Sequence, residues 1–186
     1  MHLDSLLVDI DASGGIPPVD RWAPERAGEM DLLIAADGRW IHEGGVIGRP
    51  RLVRLLSTIL RRDDDGSHWL VTPVEKQRIQ VEDLAFIAVD AERDDQGDWH
   101  VVTNLGDRVT LDDTHRLSVT ATPRGEWVPE VPVRFGLAAR LGRNLFYRLI
   151  EQAEERVDER GDAWLGLTSG GAWHPLGRLD GEAPCV

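Results

Sequence analysis

The chain has 186 residues, 33 acidic against 21 basic, for a net charge of −12. That length suits one domain or two small subdomains sharing a core, and the acidic excess argues against nucleic acid or an anionic membrane surface as partner. No apolar run approaches the roughly 20 residues of a membrane span, and the one cysteine, Cys185, excludes an internal disulfide framework.

Taken in chain order, Leu3–Ile10 reads as a short helix and SGGIPPVDRWAPE as a wandering loop, together residues 1–24. The acid-rich opening MHLDSLLVDIDASGG makes a poor export signal, so the expected compartment is the reducing cytoplasm. Met30–Ala36 and Arg39–Glu43 read as a hairpin turning at Asp37-Gly38. Leu52, Leu55, Leu56, Ile59 and Leu60 fall at helical spacing, with Pro50 suited to a first turn, and predict a helix over 50–61.

From Trp69, the segment WLVTPVEKQRIQVEDLAFIAVDA aligns without a gap, at a step of 30 residues, with WHVVTNLGDRVTLDDTHRLSVTA from Trp99. Val71 meets Val101, Arg78 meets Arg108, Ile79 meets Val109 and Val81 meets Leu111. The alternation predicts a duplicated three-strand meander, with Ile79–Asp83 and Val109–Asp113 equivalent and Trp69 and Trp99 in matching buried places. Farther on, Leu137, Leu141, Leu145, Leu149 and Ile150 predict a helix over 137–155. The expected fold is α+β: antiparallel β-rich hairpins and meanders, two main helices, internal repeats and two subdomains (25–91 and 92–180), with a tail at 181–186.

Six of the seven tryptophans stand two or three residues after a glycine: Trp40, Trp69, Trp99, Trp127, Trp164 and Trp173. A glycine that tolerates positive φ, followed by an aromatic, marks a hairpin turn feeding a strand into a core. The same reading makes the scattered histidines solvent-facing neighbours of buried rings. It expects no metal site, no cofactor and no catalytic residue, because no ligand set or nucleophile motif has usable spacing.

Several motifs in combination resemble a bacterial family known as domain of unknown function 1285. They are Asp37-Gly38 with Trp40, Gly48-Arg49 opening a helix, Thr72-Pro73-Val74-Glu75-Lys76, Val81-Glu82-Asp83, Arg134 with Gly136-Leu137 and Ala139-Arg140, and the closing SGGAWHPLG. Ala85 stands where the family pattern has a proline before Phe86. The resemblance runs from about Pro24 to Gly177. It implies a two-subdomain α+β fold of related β-rich motifs and a suggested role in signal transduction through ligand binding or conformational change. It implies no substrate, cofactor or catalytic residue.

For chemistry, EGGVIGRPRLVR sets glycines before a helix with Arg49 and Arg51 at its first turn, and VRFGLAAR places Arg134 and Arg140 around the second expected helix start. Helix N-termini with added arginines favour a carboxylate or phosphate. The expectation is a small-anion site between the halves formed by Arg49, Arg51, Thr72, Glu75, Lys76, Asp83, Arg134 and Arg140. The competing reading pairs these arginines internally with Glu75 or Asp83. As function, a cytoplasmic ligand-binding or regulatory module is expected. A small carboxylate-based hydrolase or isomerase and a protein-interaction scaffold are the alternatives, and a protein partner or homodimer stays open.

Overall fold

The computed structural model describes residues 15–179, so the helix expected at Leu3–Ile10 and the tail with Cys185 lie outside the described residues. The chain divides into two compact units at Ala85 and Phe86, with Arg134–Leu137 counted in the first. The boundary expected after residue 91 falls instead inside a strand.

In the first unit, a 3-10 turn at Val19–Arg21 precedes β1 (Arg26–Ile34), β2 (Trp40–His42) and β3 (Gly45–Val46). Helix α1 (Pro50–Thr58) follows, then β4 (Leu60–Arg62), β5 (His68–Val71) and β6 (Glu75–Val81). The six strands form one sheet in the order β3-β2-β1-β6-β5-β4. Neighbours run antiparallel except at the centre, where β1 and β6 are parallel. Two meanders thus meet along their first and last strands, and the intervening connection, which contains α1, supplies the long crossover that parallel pairing needs. Val53 and Leu56 of α1 are buried, as are Leu32, Ile34, Trp40, Leu60 and Leu70 of the sheet.

The second unit repeats this design. β7 (Phe86–Arg93), β8 (Trp99–Thr103), β9 (Arg108–Thr110), β10 (Ser118–Ala121), β11 (Trp127–Arg134) and β12 (Leu137–Leu141) stand in the order β10-β11-β12-β7-β8-β9, with β12 parallel to β7. Read from its own first strand, this is the order of the first sheet. Helix α2 (Arg143–Ile150) and a three-stranded antiparallel sheet of β13 (Glu154–Val157), β14 (Ala163–Ser169) and β15 (Ala172–Arg178) complete the unit. The fold is α+β and dominated by strand, as the sequence patterning predicts.

The glycine–tryptophan recurrence has a common cause in five hairpins. In each, the N–H of the first loop residue donates to the carbonyl four residues on, and the glycine N–H donates back to that first residue's carbonyl: 35–39, 63–67, 94–98, 122–126 and 158–162. Gly38, Gly66, Gly97, Gly125 and Gly161 hold φ between 82° and 91°. This is a type I turn closed by a left-handed residue, where a side chain is strained. The sixth tryptophan, Trp173, follows a two-residue turn in which Gly170 and Gly171 both have positive φ.

Four expectations need correction. First, the two 30-residue segments are not duplicate meanders. Trp69 pairs with Arg78, whereas Arg108 pairs with Val102, because the first hairpin closes over two residues and the second over three. Their third strands also part company, β7 joining β8 and β12 while β10 joins β11. Their strands end at Val81 and Thr110, and Trp69 is half-buried where Trp99 is buried. Second, residues 137–155 are not one helix: Leu137–Leu141 is strand, α2 starts at Arg143, and Glu154 opens β13. Leu137 and Leu141 satisfy a period of 2 as well as 3.6, and parallel pairing to β7 with burial on both faces selects the strand. Third, α1 stops at Thr58, and Leu60 already belongs to β4. Fourth, His174 does not face solvent. It is fully buried, with Nδ1 3.2 Å from the Leu117 N–H and Nε2 3.1 Å from the Ser169 carbonyl.

Candidate functional site

The parallel ladder at the centre of the first sheet is interrupted. β1 and β6 pair from Arg26–Glu75 to Glu29–Arg78, separate, and rejoin at Leu33–Gln80 and Ile34–Val81. Between those points β1 has three residues, Met30–Leu32, where β6 has one, Ile79, so β1 bows away, as strands do at bulges. A half-open cleft of about 620 Å³ lies there, lined by Glu29, Met30, Leu33, Gly66, Ser67, His68 and the run Arg78–Glu82. That volume falls within the roughly 300–1,000 Å³ typical of small-molecule sites. Alternation along β6 puts Arg78 and Gln80 on one side, and Glu82 follows the strand's last residue.

The groups around the cleft differ in how firmly they are held. Glu82 Oε2 accepts the Ala36 N–H at 2.8 Å. Asp65, in the turn beside it, is held below the ordinary carboxylate value first by the Ser67 hydroxyl, then by the Ser67 N–H, with weaker attraction from Arg78 and Lys76. Burial, reinforced by repulsion from Arg62, pushes His68 down to about 4. At neutral pH its imidazole is uncharged, able to donate one hydrogen bond and accept another.

The eight residues singled out by sequence lie elsewhere, and most serve the fold. Arg49 and Arg51 are exposed at the start of α1, whose N-cap has no side-chain hydrogen bond. Thr72 and Glu75 are buried and close the β5–β6 turn, the Thr72 hydroxyl donating to the Glu75 carbonyl and accepting the Glu75 N–H. Lys76 Nζ lies 3.3 Å from Asp63 and 4.1 Å above the Trp69 ring. Asp83 is half-buried just past β6. Arg134 ends β11 and donates to the Ser57 carbonyl at 3.0 Å. Arg140, buried on β12, donates to the Thr120 hydroxyl at 2.7 Å and the Val128 carbonyl at 2.8 Å, with Glu130 at 3.5 Å. Arg134 and Arg140 therefore sit on strands and not at a helix start.

Sequence reasoning missed Glu29, His68, Arg78, Gln80 and Glu82. The available signal was weak: GEMDLLI, at residues 28–34, lacks the clean alternation of a paired strand. Among the described residues, no three His, Cys, Asp or Glu side chains gather as a metal-ligand set, and no helix is long and apolar enough to cross a membrane.

Two family models match the chain. One, "Domain of unknown function (DUF1285), N-terminal domain", covers residues 17–84, and the other, "Protein of unknown function (DUF1285), C-terminal domain", covers 85–176. Their junction falls one residue before the division between the two units at Ala85 and Phe86. Among solved structures, a DUF1285 family protein from Silicibacter pomeroyi DSS-3 is similar at 38% identity and a TM-score of 0.81, over 94% of this chain and 96% of that one. A DUF1285 family protein from Shewanella baltica OS155 is similar at 30% identity and a TM-score of 0.56, over 66% of this chain and 92% of that one. No curated protein matches the chain.

Proposed function

The chain belongs to the DUF1285 family, and from that premise we propose that it is a ligand-binding regulatory module whose N-terminal unit receives a small polar molecule. The observation that carries this reading is the cleft at the interrupted β1–β6 ladder. It is large enough for a metabolite, lies between strands, and is lined by apolar Met30 and Leu33 together with polar His68, Arg78, Gln80 and Glu82. The lone cysteine fits a reducing compartment.

A regulatory role fits the site better than catalysis. Glu29 and Glu82 are both exposed, so neither sits in the dry, enclosed setting that acid–base chemistry favours. A scaffold role has less support. Among the described residues, the large exposed apolar side chains (Ile16, Val46, Val74, Val89, Tyr147, Val157 and Leu179) are scattered along the chain, no two of them in the same element.

The test is a small-molecule fragment screen read on the His68 ring resonances by NMR, repeated on Gln80→Trp, an exposed position where the indole would fill the cleft. Saturable shifts in the wild type that vanish in the variant support the reading. Shifts that survive in Gln80→Trp, or a library that leaves His68 unmoved, contradict it.

A further inference from the structure

The cleft has a sign, and it is the opposite of the anion site the sequence suggested. Its lining carries two carboxylates, Glu29 and Glu82, and one guanidinium, Arg78. Arg78 stands directly beside Glu29 in the parallel register, and its charge also acts on Asp65. Glu29 and Asp65 thus both lie in its field at one end of the cleft. His68 adds no positive charge at neutral pH, because burial keeps the imidazole unprotonated.

The other end is different. Glu82 stands four residues after Arg78, just past the end of β6. Its Oε2 is fixed by the Ala36 N–H, and among the described residues it forms no ion pair. A carboxylate carries about four acceptor positions, so one backbone donor leaves it well short of saturated. Leu33 and Met30 line the same opening with aliphatic surface. A chain of net charge −12 also raises the local concentration of cations at long range.

Resting on the reading of the cleft as the binding site, we infer that it takes an organic ammonium ion, with the charged head on Glu82 and an aliphatic body along Leu33 and Met30. An anion there would meet two carboxylates and one guanidinium. A neutral apolar molecule would leave Glu82 without the partner its position invites.

The experiment uses two probes of equal chain length and opposite charge, n-pentylammonium and pentanoate, each titrated into the full-length protein while the His68 ring resonances are followed. Pentylammonium should move them saturably and pentanoate should not. Glu82→Gln keeps an oxygen for the Ala36 N–H, and should weaken pentylammonium about tenfold or more, as expected for loss of a charged hydrogen bond. Arg78→Gln should leave that affinity unchanged or raise it, whereas at an anion site it would lower it. Pentanoate binding as tightly as pentylammonium, or loss of pentylammonium binding in Arg78→Gln, overturns the cation assignment and leaves the cleft standing. The cation assignment also falls alone if neither probe binds while other fragments still shift His68. If no compound of any charge shifts His68, the cleft reading falls with it.

Discussion

His68 joins strand, cleft and solvent in one side chain, and its titration reports on all three. Burial first and the Arg62 charge second lower it from 6.5 to about 4. A base with a depressed folded-state value binds fewer protons folded than unfolded between those two values. Stability therefore rises with pH across that window: the contribution is whole above about 6.5 and is lost as pH falls toward 4. His174 is lowered in the same sense, chiefly by burial, and adds to the slope. His68→Gln should flatten the fall in melting temperature between pH 6.5 and 4 without abolishing it. NMR should place the His68 midpoint near 4, and a midpoint near 6.5 would show the ring to be solvated. Arginines divide the same way. Arg140→Ala strips a buried guanidinium from Thr120, Val128 and Glu130, and should cost about 2–4 kcal/mol in urea denaturation. Arg49→Ala, on an exposed site, should stay within about 0.5 kcal/mol. Sequence placed both arginines in an anion site, but it could not show that Arg140 is buried on a strand.

Turns were the most legible elements. A glycine held at positive φ is a local requirement, so the hairpins at Gly38, Gly66, Gly97, Gly125 and Gly161 announce themselves without tertiary help. The helix expected at 137–155 was misread for the opposite reason: Leu137 and Leu141 fit two periods, and only pairing with Phe86–Ala88 decides between them. The parting of β1 from β6 was illegible, because it depends on which strand lies beside β1 and not on β1 itself. Two glycines separate local strain from close packing. At Gly161, with φ of 87°, an added Cβ meets nothing within 4 Å. Gly161→Ala should cost only the left-handed penalty of about 1–2 kcal/mol. At Gly136, with φ of 74°, the Cβ would lie 2.6 Å from the Arg62 carbonyl oxygen, a backbone atom that cannot swing aside. Gly136→Ala should therefore destabilise clearly more in parallel urea titrations, and equal losses would contradict the packing argument.

For the molecule as a whole, the repeat is twice the length the sequence suggested. Gly38 is matched by Gly97 and Gly66 by Gly125, each at a 59-residue step, and the two sheets share one strand order with a parallel pair at the centre. Each copy holds two glycine–tryptophan hairpins of the same type, so sliding the sequence by about half a copy lays one such turn over another and imitates a shorter period. In the first copy the central ladder opens into the cleft. The central claim is that this opening is where the protein meets a small molecule. Hydrogen–deuterium exchange, with and without the small-molecule fraction of the cell that makes the protein, tests it most directly. Slowed exchange confined to residues 29–33, 66–68 and 78–82, and lost in Gln80→Trp, is the predicted result. Unchanged exchange there, or protection appearing instead around Arg49–Arg51 at the start of α1, would contradict it.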